Sequence, residues 1–435
     1  MTTEIASIGP YEVLAWPDRL GSLGVGRDSV SSYSKSSPIN IVTARHRLTR
    51  ERFAIKAESI QSLINEAHIL HAVSGGIGIP QLHWFETVDE RDVLVTDLYG
   101  PCLEEIFCKS GRYFSMQMLL QLAEPLLSRI EFIHSRNIIH GNLNPWSFAL
   151  GNMEWQNQQV LLVDFNTQIA PEATIHCDLY AVGQILAYFY RGRESWEQYQ
   201  ESMKGGYDQE TAPVIVQYFQ EISSCKAKNP DYGHLKQVFH TALQDLAFHL
   251  AIALDLKGPR AITKGLPPRI DALPSMTTES LFDALNLKLS QSGRQIGRST
   301  ATLRACEWLD LLELFDDILK IYTIILLRDR PFVKKEQFLR AYQLPNRLWR
   351  DLHWFLKRIN SGTDGISSIF RRTINERAYK FISALYDIYP SYRPYWTEYL
   401  LTLARERKEI VLIDEKPVWT QTVLYWQVQL GRERA

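Results

Sequence analysis

A chain of 435 residues is long for one hydrophobic core, so two domains, or one domain with a large extension, are expected. Its 48 basic and 49 acidic residues leave a net charge of -1, which provides no overall field to steer nucleic acid or an anionic membrane. With 45% hydrophobic and 22% charged residues the composition is globular, and the five scattered cysteines (Cys102, Cys108, Cys177, Cys225 and Cys306) form no CxxC pair, which argues against a disulfide framework or a zinc site and for a reducing interior.

The first residues, MTTEIASIGPYEVLAW, lack the basic n-region and long apolar core of a secretory signal. Apolar runs such as Ile321 to Leu327 are much shorter than the roughly 20 residues that span a bilayer. An intracellular protein, cytoplasmic or nuclear, is the expectation. Ser29 to Pro38, SVSSYSKSSP, reads as a solvated loop. INIVTA and FAIKAE then flank the charged RHRLTRER, the pattern of a β-hairpin with a basic tip. IQSLINEAHILHAV has near-helical spacing and stops at Gly75 and Gly76, and IPQLHWFETVDERDVLVTDLYG holds two strands around an acidic turn. A helix is predicted over Met116 to Arg136, then a short buried strand in QQVLLVDFN and a buried helix in CDLYAVGQILAYFYRG.

Four prolines and two glycines between Lys257 and Ser275 mark a second boundary. Beyond it, Leu303, Leu311, Leu314, Ile318, Ile321 and Ile325 lie along one broad helical face, and more helices are expected at Lys335–Asn360, Ile374–Tyr389 and Tyr395–Lys408. Six of the 11 tryptophans follow Pro274, which argues for a packed helical core there rather than a tail.

Several runs occur together in one order: FAIKAES (53–59), GGIGIPQLHW (75–84), VLVTDLYGPCLEEIF (93–107), LLSRIEFIHSRNIIHGNLNPWSFALG (126–151), LLVDFN (161–166), CDLYAVGQILAYFYRG (177–192) and NPDYGHLKQVF (229–239). Over about residues 39–245 this pattern resembles the casein kinase 1 family of protein kinases. The resemblance implies an α+β, bilobal protein kinase-like fold, a small antiparallel sheet lobe followed by a helical lobe. An all-α C-terminal domain would follow it. The expected organisation is an N-terminal extension over 1–38, flexible in part, a kinase-like domain over 39–257, a Pro/Gly-rich linker over 258–276 and a helical domain of unassigned type over 277–435.

Phosphoryl transfer needs a phosphate-covering glycine loop, a lysine paired with a helix carboxylate, metal ligands, and a base that orients the acceptor hydroxyl. By the resemblance, Lys56 is the strand lysine that meets the nucleotide phosphates and Glu66 the helix glutamate that orients it; a purely structural ion pair is the alternative reading. Asp97 and Tyr99 would line the same vestigial nucleotide cleft. The glycine loop, counted back from Lys56, falls at Tyr33 to Val42, where there is no glycine; Gly21, Gly24 and Gly26 lie further upstream in the wrong order and read as a loop.

The family's His-Arg-Asp-Ile-Lys-Pro-x-Asn-Phe becomes His140-Gly141-Asn142-Leu143-Asn144-Pro145-Trp146-Ser147-Phe148. Asn142 stands for the catalytic aspartate, and a carboxamide accepts no proton at neutral pH. Asn144 replaces the phosphate-stabilising lysine and Ser147 a metal-holding asparagine. Asp164 matches the aspartate that binds magnesium, while Asn166 replaces the glycine two residues on. Asp178 matches the buried aspartate that anchors the large-lobe helix, and only eleven residues lie between it and Asn166, too few for an activation segment. The resemblance therefore implies a degenerate member, a pseudokinase with no catalytic residue expected. No cofactor is required, with ATP and magnesium as an alternative. Protein partners are expected through the kinase-like lobe, the helical domain or both, and no nucleic acid or membrane is indicated. The competing enzyme-class reading is an active serine/threonine kinase working through Lys56, Glu66 and Asp164; an ATP-binding switch without transfer is a third.

Overall fold

The structure is a computed structural model that describes residues 7–14, 41–59, 61, 63–88, 90–153, 156, 159–165, 173–192, 194–202, 211–224, 230–255, 278–296, 303–327, 332–359 and 365–434. It is α+β, with sheet in the first part of the chain and a helical C-terminal region. The strands β1 (Ser7–Ile8), β2 (Tyr11–Val13), β3 (Ile41–His46), β4 (Arg52–Ser59), β5 (Leu82–Val88) and β6 (Arg91–Asp97) form one antiparallel sheet in the order β1-β2-β3-β4-β6-β5. The β3–β4 hairpin has the expected basic tip, closed by bonds from the His46 amide to the Glu51 carbonyl and from the Arg50 amide to the His46 carbonyl, both 2.9 Å.

Side chains alternate across β4. Phe53 and Ile55 enter a small cluster with Ile8, Tyr11, Val13, Ala44, Val93 and Val95. Lys56, one residue on from Ile55, belongs to the opposite face, where α1 (Ile64–Ala72) lies between β4 and β5. Within the N-terminal extension, residues 7–13 thus add two strands to the sheet. Tyr11 is 4% exposed and meets His46 and Phe53 edge-on at 5.4 Å. Gly9 and Pro10 divide this stretch into two very short strands, which hid its β-pattern in the sequence. Because β2 and β3 are sheet neighbours, the connection between them carries both Gly21–Gly26 and most of the Tyr33–Val42 position expected for a glycine loop; residues 15–40 lie outside the described ones.

The chain then passes to a three-stranded sheet of β7 (Tyr99–Cys102), β8 (Phe148–Gly151) and β9 (Val160–Leu162), set among α2 (Leu103–Lys109), α3 (Met116–Ser135), α4 (Ile175–Arg191), α5 (Trp196–Ser202), α6 (Pro213–Ser224) and α7 (Tyr232–Asp255). α3 starts where predicted because Ser115 caps it, its hydroxyl accepting from the Met118 amide at 3.2 Å. Its apolar positions, including Leu119, Leu126, Ile130 and Ile133, form the axis of the first large core.

The C-terminal region is α8 (Thr278–Ile296), α9 (Ala305–Leu327), α10 (Phe332–Ala341), α11 (Leu344–Ile359), α12 (Gly365–Ile388), α13 (Arg393–Ile410) and α14 (Lys416–Arg434), with a second large core around Trp308, Trp396 and Trp426. The single helix expected over 335–360 is two: Gln343 takes φ 47° at the break, and Pro345 has no amide to bond the Ala341 carbonyl. α14 has no one-sided pattern to mark it, because its apolar residues surround the axis: Trp419 and Trp426 are buried while Leu424 and Val428 are about half exposed. The proposed linker at 258–276 lies outside the described residues. No described helix is long and apolar enough to cross a membrane.

The two cores are not independent bodies, since Ile77, from the loop after α1, is packed in the C-terminal one. A polar stripe on α12 (Glu376, Lys380, Ser383 and Asp387) occupies roughly one helical face, and its ends are about 16 Å apart. Lys380 Nζ donates to Asp97 Oδ1 at 2.6 Å, and Ser383 accepts from Gln159 at 3.0 Å. Asp387 accepts two bonds from Arg129 of α3, at 3.1 and 2.5 Å. Beside the stripe, Arg377 donates to Glu51 of the β3–β4 hairpin at 2.8 Å. One helix thus holds both the sheet and the helices beneath it.

Candidate functional site

Lys56 Nζ is 2.8 Å from Glu66 Oε2 and 3.5 Å from Glu58 Oε1. Burial opposes the ammonium charge, but Glu66, Glu58 and Asp164 outweigh it and hold the Lys56 pKa above its ordinary value. For Glu66 burial wins: its carboxyl lies above the usual range despite Lys56. These two residues, with Ala54, Thr96, Tyr99 and Val163, line a cleft of about 20 Å³ among the described residues. That is room for about one water. Burial, with Glu66 and Asp164 nearby, pushes the Tyr99 phenol up.

The loop from Ile138 to Ser147 is organised by one buried carboxylate. Asp178, 1% exposed near the start of α4, accepts from the backbone amides of His140 and Gly141 at 2.7 Å each, and its Oδ2 is 2.8 Å from His134 Nε2. Two main-chain amides fixed by one side chain set the path of the loop whatever residues it carries. His140 Nε2 donates to the Asp164 carbonyl, which joins this loop to the strand end bearing Asp164 and Phe165. Burial lowers the His140 pKa despite Asp178, so its ring is neutral near pH 7.

The Asn144 and Ser147 side chains fold back onto the loop. Asn144 Oδ1 accepts from the amides of Trp146 at 2.9 Å and Ser147 at 3.2 Å, its Nδ2 donates to the Asn142 carbonyl at 3.1 Å, and Ser147 Oγ accepts from the Asn144 amide at 3.2 Å. Ser147 is fully buried. Asn142 is exposed at the tip, and it brings a carboxamide where general-base chemistry needs a carboxylate.

Lys56, Glu66 and Tyr99 are brought together, with Asp164 close enough to act on all three electrostatically. Asp97 is not. Its carboxylate turns to the opposite side, where His83 Nε2 and Lys380 Nζ each lie 2.6 Å from Oδ1 and the Gln81 amide donates to Oδ2 at 2.9 Å. Period-two alternation along β6 explains this, since Asp97 and Val95 share a face that Leu94 and Thr96 do not. Glu376 is 3.5 Å from His83 and also binds Lys380 and Arg407. His83, Asp97 and Glu376 have a metal ion's ligand spacing, but the Lys380 ammonium sits between the two carboxylates and supplies the cation. Sequence reasoning missed this cluster. Asp97 and Lys380 are 283 positions apart, and no local pattern marks either. His134 was missed likewise, since nothing in the local pattern of α3 marks it as a partner of Asp178. Asn166 lies outside the described residues. A comparison with models of known protein families finds none that matches the chain.

Proposed function

We propose that this chain is a catalytically inactive, casein kinase 1-like protein, a bilobal pseudokinase that acts as a protein-binding scaffold or regulator inside the cell. The observation that carries the reading is the Asp178-held loop: its path is fixed through the His140 and Gly141 amides and tied to Asp164 through His140, while Asn142 has no carboxylate to give. The sheet order and the Lys56–Glu66 pair support the same fold. Magnesium does not fit well. Asp164 is one carboxylate, and Ser147, at the position of the second ligand, is buried and committed to the Asn144 amide. No phosphoryl-transfer step is therefore assigned. The partner surface is assigned to the kinase-like part, the helical region or both.

A second reading, nucleotide binding without transfer, is favoured by the intact Lys56–Glu66 pair and opposed by the lack of glycine over Tyr33 to Val42. The test is a radiolabelled ATP transfer assay on the full chain, with Asp164→Ala as control, alongside a thermal shift with ATP and magnesium. No transfer is expected, and Asn142→Asp alone should restore none. Transfer by the unaltered protein that Asp164→Ala abolishes would overturn the proposal. A midpoint raised by ATP without transfer would select the second reading.

A further inference from the structure

The loop that follows α1, residues 73–79, is held from two sides. From below, the Leu162 amide donates to the Gly78 carbonyl at 2.8 Å. From the C-terminal region, Thr422 Oγ1 of α14 donates to the Ser74 carbonyl at 2.8 Å, and Tyr379 Oη of α12 donates to the Gly75 carbonyl at 2.6 Å. Tyr379 is in turn fixed by Trp426 Nε1 at 2.6 Å. The approach is as close as backbone allows: a Cβ on Gly75 would stand 2.7 Å from Thr422 Cγ2 and 3.0 Å from the Trp419 ring. Ile77 then enters the C-terminal core.

This loop controls where α1 can sit. α1 has nine residues, too few to be stable by itself, and no side-chain cap at its N-terminus. Leu63, Ala67 and Leu70 pack it against the core, and the Leu63 amide donates to Asp92 at 3.2 Å. Its C-terminal end is fixed through Val73, Ser74 and the gripped glycines. Glu66, in the first turn of α1, reaches Lys56 only while the helix keeps that position. Asp97, at the other edge of the cleft's strand, is held by Lys380 of α12.

We propose that α12 and α14 are an internal clamp, which fixes α1 through the 73–79 loop and so keeps the Lys56–Glu66 pair closed whatever the cleft contains. Anything that shifts α12 or α14 is then transmitted to the cleft, which makes the C-terminal region its regulatory element. The clamp is built from these contacts alone and holds whether or not the cleft is kinase-like.

Hydrogen–deuterium exchange on the full chain tests it, comparing the unaltered protein with Tyr379→Phe/Thr422→Val, which removes two hydroxyls and keeps both shapes. The amides of α1 should exchange at least about ten-fold faster in the variant, while those of α9 keep their rates and so report an intact fold. Tyr379→Phe alone, whose ring stays packed on Trp419 at 5.6 Å, should move α1 in the same direction by less. Rates in α1 within about two-fold of the unaltered protein in the variants, with residues 73–79 exchanging faster, would overturn the clamp. The readout is independent of ATP, so it separates failure of the clamp from failure of the proposed function.

Discussion

Two charged clusters lie on opposite sides of the sheet, and they are built to different standards. In the cleft, Lys56 meets Glu66 at 2.8 Å beside a water-sized space, and Glu66 remains harder to ionise than a free glutamate. At the seam with α12, Asp97 and Glu376 are each met by Lys380 and His83, and Glu376 by Arg407 as well. Burial there would raise both carboxyls, yet their partners hold them below the ordinary range, Glu376 at about 2. A buried charge is tolerable when its partners return what desolvation takes away. The seam meets that condition and the cleft meets it only in part, as expected if the seam is the structural joint and the cleft is a site that has lost its ligand chemistry.

The most disruptive way to probe this contrast is Arg129→Met. Arg129 is fully buried, donates to the Val160 carbonyl at 2.8 Å, and neutralises Asp387 of α12. Its loss leaves a carboxylate uncompensated and should lower the unfolding free energy by about 3–5 kcal/mol, read from urea titration. Lys56→Met should cost less. Its partner Glu66, which burial already holds above the usual carboxyl range, returns readily to the neutral form and leaves less charge stranded. Equal losses in the two variants would break the comparison.

The same rigid side can be tested through the backbone at Gly78, where α3 and β9 press on the seam loop. Its φ of 65° is strained for any L residue, and a Cβ would lie 2.3 Å from Arg129 Nε and 2.5 Å from the Val160 carbonyl oxygen. Gly78→Ala should cost about 1–3 kcal/mol from the backbone conformation alone, plus the displacement of Arg129. A neutral result in the same urea titration would show that the loop is free to move away from α3, and the seam would lose its claim to be the rigid side.

How much of this was legible in the sequence depended on distance along the chain. The β3–β4 hairpin, α1 and α3 were visible because period-two and period-3.6 patterns are local, and Gly75 and Gly76 marked the end of α1. The Lys56–Glu66 pairing came from the family resemblance and not from periodicity, and the structure brings the two to 2.8 Å. Asp97 faces away from the cleft because one residue of strand register decides a face, and its partner Lys380 is 283 positions away. The helical region was visible as helices but not as a clamp. The contacts of Tyr379, Thr422 and Asp387 join residues more than 250 positions apart, and a hydroxyl on a helix carries no sign of which carbonyl it will meet.

The gentlest probe is acid, and here the two clusters should respond at different pH. Glu66 has a folded pKa above its unfolded value, so its charged form opposes folding, and that cost fades as pH falls through the folded pKa toward 4.5. Glu376 is shifted the other way. Its stabilisation is fully present above about pH 4.5 and is lost as pH falls from there through about 2, with Asp97 acting in the same sense. Carboxyl-carbon NMR titration, with Glu66→Gln and Glu376→Gln to assign the two signals, should therefore place the Glu66 midpoint above that of a free glutamate and the Glu376 midpoint near 2. The reverse order would mean that the cleft carboxylate is the better compensated one. The seam would then be a tolerated burial of charge, and the cleft the place where the protein still holds an ion in readiness.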